Sequence, residues 1–92
     1  MALPIVPLPK EAVLIGDTTV EYRSLSRDEV VSLAGMTDDP SGAEVFIISR
    51  ATGVTPEEAT TWRQEVTAET ADHLLSAIAT ISGITGARRG NA

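Results

Sequence analysis

The stretch TGVTPEEATTWRQ, Thr52 to Gln64, holds the end of one helix and the start of the next. Thr55 is a good N-cap residue, and Pro56 suits the first helical position because a proline there leaves no N–H group unsatisfied. Glu58 stands three residues after the cap, where it completes a capping box. The stretch therefore predicts a surface helix from Pro56 to about Glu65.

The segment before it, Ala43 to Thr52, contains the run VFII, which by hydrophobicity suits a buried strand as well as a buried helix. Helix is favoured because Ser41 can act as its N-cap and Gly53 stands where helices usually stop. Few of its positions are polar, so we predict that this helix is the central and most buried one.

Another helix is predicted to begin after Ser26, an N-cap residue with Glu29 three positions later. It ends at Gly35, and the polar segment Thr37 to Ser41 has the composition of a loop.

A last amphipathic helix is predicted from Ala68 to about Ser82, capped by Thr67. Its apolar residues recur at helical spacing on one stripe: Ala71, Leu74, Leu75, Ile78 and Ile81. Gly83 follows as a left-handed C-terminal residue, after which Ile84 can fold back on the helix.

Prolines at positions 4, 7 and 9 predict an extended arm from Met1 to Lys10. Its apolar side chains either pack on their own domain or join a neighbouring surface or sheet edge. The runs Ala12 to Ile15 and Thr18 to Tyr22 are β-prone, and Gly16-Asp17 between them predicts a hairpin turn.

The predicted fold is mainly α, with a short N-terminal β hairpin followed by a compact bundle of about four short helices. A single domain at 11–86 suits a chain of 92 residues, with the arm at 1–10 and a flexible tail at 87–92. Because only 3% of the residues are aromatic, the core must consist of Val, Ile, Leu and Ala. Burial against another protein would stabilise such a thin core.

Composition excludes several classes of function. The formal charge of -6 argues against a nucleic-acid surface, and Arg88 and Arg89 are too few to form a basic arm. The absence of cysteine excludes disulfides and thiolate zinc sites. The apolar N-terminal segment lacks a charged start and is interrupted by prolines, so neither a signal peptide nor a membrane span is expected. We expect a soluble intracellular protein.

No constellation for catalysis is recognisable. His73 is the only histidine, and Glu69 is the only acid four residues from it. Asp38 and Asp39 lack the ligand spacing of a calcium loop and are interpreted as a solvated turn. Neither a nucleophile elbow nor a phosphate-binding loop occurs. We predict no enzymatic activity, no metal and no cofactor.

The segments VEYRSLSRDEVVSLAG, DDPSGAEVFIISRATGVTPEEATTWR and TADHLLSAIATISGIT together resemble the small tail assembly chaperones of long-tailed, siphovirus-type bacteriophages, over about Val20 to Gly86. The resemblance implies a non-enzymatic protein that binds the helical tape measure protein, keeps it soluble and promotes assembly of the tail tube around it. The implied partners are the tape measure protein and the tail tube protein, in the host cytoplasm, and the chaperone is absent from the mature virion. In many members a ribosomal frameshift near the end of the reading frame appends a second domain.

The family provides no binding residue that transfers to this chain, so candidates come from the helix patterns. Trp62 is either the residue that holds a polar helix to the core or an anchor for a partner. The candidate partner-binding residues are Trp62, Val66, Leu75, Ile78, Ile81 and Ile84. A homo-oligomer is also compatible with the sequence. Two alternatives stay open: a head-to-tail connector that assembles into a ring, and a small cellular regulatory module.

Overall fold

A computed structural model of the chain describes residues 3–84. The predicted tail at 87–92 lies outside this range, as do the first two residues of the predicted arm. The elements in chain order are β1 (Lys10–Ile15), β2 (Thr18–Arg23), α1 (Arg27–Ala34), α2 (Pro40–Thr52), α3 (Pro56–Glu65) and α4 (Ala68–Ile81). The described part of the chain thus has an N-terminal hairpin and four helices, and the predicted predominance of helix is confirmed.

β1 and β2 pair antiparallel around the two-residue turn, with Val13 opposite Val20. Gly16 has φ +64, the left-handed conformation that such a turn requires. β1 begins two residues earlier than predicted, because Lys10 pairs with Arg23 and extends the ladder beyond the β-prone run.

The predicted N-termini of α1 and α3 are confirmed in atomic detail. The Ser26 hydroxyl accepts a hydrogen bond from the Glu29 N–H at 3.2 Å, and the Glu29 carboxylate accepts one from the Ser26 N–H at 2.8 Å. At the start of α3, the Thr55 hydroxyl accepts a hydrogen bond from the Glu58 N–H at 3.1 Å, and the Glu58 carboxylate accepts one from the Thr55 N–H at 2.9 Å. Both capping boxes satisfy N–H groups that the first helical turn leaves without partners.

The predicted start of α2 is wrong. The N-cap is Asp39, whose carboxylate accepts a hydrogen bond from the Gly42 N–H at 3.0 Å, and Ser41 already lies inside the helix. Pro40 occupies the first helical position, where its missing N–H has no cost. Asp39 therefore caps α2 and also belongs to the predicted exposed turn, which its N–H closes by donating to the Met36 carbonyl at 3.2 Å. The predicted end is confirmed, since Gly53 adopts the left-handed conformation with φ +85.

α4 ends in the predicted Schellman motif. Gly83 has φ +78 and its N–H donates to the Thr80 carbonyl at 3.1 Å. The Ile84 N–H donates to the Ala79 carbonyl at 2.9 Å, which turns the chain back onto the helix.

α2 contacts the other three helices and β2, which confirms its central position. α4 packs against both strands of the hairpin. The buried core residues are Tyr22, Leu25, Ile48, Ala51, Ala59, Leu74 and Ile78, so Tyr22 alone departs from the expected aliphatic core. None of the helices between residues 3 and 84 combines the length and apolarity needed to cross a bilayer.

Candidate functional site

An apolar cleft of about 270 Å³ lies where β2, α2, α3 and α4 meet. It is lined by Val20, Ile48, Thr52, Val54, Glu58, Trp62 and Leu74. Ile48 and Leu74 are each only 3% exposed, so the cleft reaches the hydrophobic core. Trp62 is partly exposed and packs against that core. We call this feature the apolar cleft.

Local sequence explains how each side chain reaches the cleft. The strand alternation of β2 places Val20 on the same face as the buried Tyr22. Gly53 ends α2 and lets the chain turn immediately into α3, so that Val54 and Trp62 come beside Ile48. Leu74 comes from the apolar stripe of α4.

The two polar residues of the cleft both form hydrogen bonds with the backbone at the ends of helices. The Thr52 hydroxyl donates to the Ile48 carbonyl at 2.7 Å within α2. The Glu58 carboxylate accepts from the Thr55 N–H at 2.9 Å in the capping box of α3. The apolar cleft therefore suits an inserted hydrophobic side chain and contains no acid–base pair of the kind that catalysis uses.

Of the six predicted partner-binding residues, Trp62 is the one that lines the apolar cleft. Leu75, Ile81 and Ile84 are partly buried and pack against the core elsewhere. Val66 is the C-cap of α3, and its N–H donates to the Trp62 carbonyl at 3.1 Å.

Ile78 requires a correction, because it is 0% exposed in the folded chain. It lies on the core-facing side of α4 and is a core residue here, without surface that a partner could contact. Sequence reasoning missed Val20, Ile48, Val54 and Leu74 as cleft residues. Each was recognisable as apolar, but their arrangement around one opening depends on four elements packing together.

Two larger clefts have charged linings. One, of about 420 Å³, includes Lys10, Tyr22 and Arg50, and the other, of about 440 Å³, includes Asp72 and the exposed His73. Between residues 3 and 84, no group of three His, Asp or Glu side chains is placed to hold a metal ion. Among the described residues, neither charged cleft thus contains a cluster of metal ligands.

An ion pair connects the hairpin to α1. Arg23 of β2 forms two hydrogen bonds with the Glu29 carboxylate, at 2.8 and 2.9 Å. This guanidinium contact lowers the pKa of Glu29 to about 2, against the effect of partial burial. The Arg23 guanidinium also donates to the Ser24 carbonyl at 2.8 Å. The pair holds β2, whose Val20 lines the apolar cleft, against the start of α1.

Comparison with known proteins adds no relative: no family model, no curated protein and no solved structure matches this chain.

Proposed function

We propose that this protein is a tail assembly chaperone of a long-tailed bacteriophage, which binds the tape measure protein, keeps it soluble and promotes tail tube assembly around it. The observation that supports this function best is the apolar cleft, with the partly exposed Trp62 on its wall. The resemblance of the sequence over about Val20 to Gly86 suggests the partner. The cleft offers an apolar surface that suits a helical partner with apolar side chains.

In this proposal the client is an amphipathic helix. Such a helix presents apolar side chains at intervals of three or four residues, and one of them can enter the apolar cleft while its neighbours lie along α3. Tryptophan is enriched among the residues that contribute most to protein–protein affinity, because it buries a large area with few rotatable bonds. Trp62 is accordingly the proposed anchor.

The charge of the chain favours clients of opposite sign. The formal charge of -6 promotes association with a basic helix and disfavours an acidic one. Glu57 and Glu58 lie in the first turn of α3, and Glu58 lines the cleft. We expect the bound segment to carry Lys or Arg beside its apolar stripe.

The proposed action requires no reaction step. The chaperone covers apolar stripes of the tape measure protein in the host cytoplasm and leaves before the virion is complete.

Co-expression with the tape measure protein encoded in the same genome tests the proposal. We expect the client to move into the soluble fraction and to copurify with this chain. A client that stays insoluble, together with a stable ring of this protein by light scattering, would instead support a connector.

A further inference from the structure

Within residues 3–84, β1 pairs only with β2, so that one edge of β1 has no neighbouring strand. The Ser24 N–H donates to the Pro9 carbonyl at 2.9 Å, so the backbone of Pro9 faces the β2 side. Successive residues of a strand direct their backbone groups to opposite sides, which makes the even-numbered residues face away from β2. Within residues 3–84, the outward backbone groups of Lys10, Ala12 and Leu14 have no hydrogen-bond partner.

The arm continues this row of backbone groups. In an extended arm, Val6 and Leu8 direct their N–H groups to the same side as Lys10. Pro7 and Pro9, which lack an N–H, face the other side. Proline is accepted in edge strands when its nitrogen points away from the pairing partner. The order of prolines therefore leaves a continuous row of donors from Val6 to Leu14.

Among the described residues, the side chains along this row are exposed. Val6 is 77% exposed, Leu14 60%, and the neighbouring Ile5 95%. The other edge of the hairpin presents Thr19, Glu21 and Arg23, and polar and charged residues protect an edge from pairing. The β1 edge has apolar residues and only one lysine. It is therefore better suited than the β2 edge to pair with a partner strand.

We propose that two copies of this chain dimerise by antiparallel pairing of this edge with the same edge of a second copy, so that Val6 lies opposite Ala12 and the Leu14 N–H is directed at the Pro4 carbonyl. The pairing joins two hairpins into a four-stranded sheet with a two-fold axis, in which each arm lies along β1 of the other copy. Such an interface is self-complementary and closes without further growth. Extended segments commonly bind sheet edges in this way.

Charge excludes two registers of the pairing. A two-fold axis at Lys10 places two lysines directly opposite each other, and an axis at Glu11 does the same with two glutamates. Both arrangements are unfavourable because like charges repel. An axis nearer the turn leaves the arms unpaired. An axis at Pro9 avoids opposed like charges and keeps both arms in the sheet.

The register centred on Pro9 also matches apolar side chains. Ala12 pairs with Val6 of the second copy on the outer face of the sheet. Val13, which is partly buried against the core, stands beside Ile5 of the second copy on the other face. Ile5, the most exposed large aliphatic residue between residues 3 and 84, thereby gains an apolar neighbour.

Two matched substitutions in the arm test the proposal. Val6→Pro removes an aliphatic side chain and an outward N–H, whereas Ile5→Pro removes an aliphatic side chain and an N–H on the opposite side. Both positions lie outside the strands, so the fold is unaffected, which circular dichroism checks. We expect sedimentation equilibrium of the full chain to show a dimer whose dissociation constant rises about tenfold or more with Val6→Pro, since the lost bond occurs twice. Ile5→Pro should have a smaller effect.

Amide hydrogen exchange locates the interface independently. The amides of Ala12 and Leu14 should become protected as the concentration rises, whereas those of Thr19 and Glu21 should stay unprotected. A chain that is monomeric at every accessible concentration would overturn the proposal. So would a dimer in which Ala12 and Leu14 exchange freely, or one that both proline variants weaken equally.

Discussion

At the scale of single residues, Glu29 has two functions that can be separated. Its carboxylate accepts the Ser26 N–H in the capping box of α1, and it also forms the ion pair with Arg23. Glutamine preserves a capping box but carries no charge. Glu58 closes the capping box of α3 and, within residues 3–84, has no Arg or Lys at ion-pair distance, which makes it a natural control.

Acid should destabilise the fold through Glu29. Because its folded pKa of about 2 lies below the unfolded value of about 4.3, the ion pair contributes its full stability above about pH 5 and loses it as the pH falls toward 2. Allowing for solvent screening of a partly exposed pair, we expect a loss of about 1–2 kcal/mol. Urea unfolding of wild type and Glu29→Gln across this range measures it.

The control for this prediction is Glu58→Gln. It should leave most of the acid dependence in place, whereas Glu29→Gln should flatten the curve between about pH 5 and 2. An equal pH dependence in wild type and Glu29→Gln would show that the Arg23 contact does not stabilise the fold.

Trp62 is the residue on which client binding should depend most. Trp62→Ala should reduce client affinity by about 2 kcal/mol or more, because a central aromatic anchor is lost. The free energy of unfolding should fall by less, since Trp62 is partly exposed.

Leu74→Ala is the comparison, with an expected loss of stability of about 2–5 kcal/mol at a position that is 3% exposed. Calorimetric titration and urea unfolding separate the two effects. Equal losses of binding and stability in Trp62→Ala would assign Trp62 to the core alone.

At the scale of elements, local signals predicted the helix boundaries where the cap chemistry was unambiguous. The capping boxes at Ser26 and Thr55, and the glycines at 53 and 83, each require a specific local conformation, and the structure shows it. The start of α2 differs from the prediction because Asp39 and Ser41 are both good N-caps, and Pro40 between them suits a loop as well as the first helical position. Only the side-chain hydrogen bond distinguishes the two.

A pair of substitutions tests the corrected start of α2. Asp39→Ala should destabilise the protein by about 1 kcal/mol, because the Gly42 N–H loses its acceptor. Ser41→Ala should be neutral or slightly stabilising, since alanine has a higher helix propensity inside the helix. Thermal unfolding of both variants measures the difference. A larger loss of stability in Ser41→Ala than in Asp39→Ala would show that Ser41 is the N-cap of α2, as the sequence predicts.

At the scale of the whole molecule, the apolar cleft could not be predicted from sequence. The sequence identified apolar residues and assigned many of them to elements, including Leu74 on the stripe of α4. Which of them leave an opening depends on how β2, α2, α3 and α4 pack, which no local pattern specifies. Ile78 shows the same limit, because periodicity identifies an apolar stripe but does not tell which of its members the core covers completely.

The two proposed surfaces are composed of different residues. The apolar cleft is lined by β2 and the helices, whereas the proposed dimer edge is the outer side of β1 and the arm. A second copy on β1 would therefore leave Trp62 accessible to a client. Each copy of a dimer could then bind one client helix, and two clefts in one particle would raise the avidity for a long helical client.

The fluorescence of Trp62 shows whether a client helix binds in the apolar cleft. Trp62 is the only tryptophan of the chain, so its emission reports on this site alone. Titration with tryptophan-free amphipathic segments of the tape measure protein should shift the emission to shorter wavelength and saturate, as an apolar side chain displaces water from the cleft. Segments that bind this protein tightly without changing the Trp62 emission would show that the client binds elsewhere.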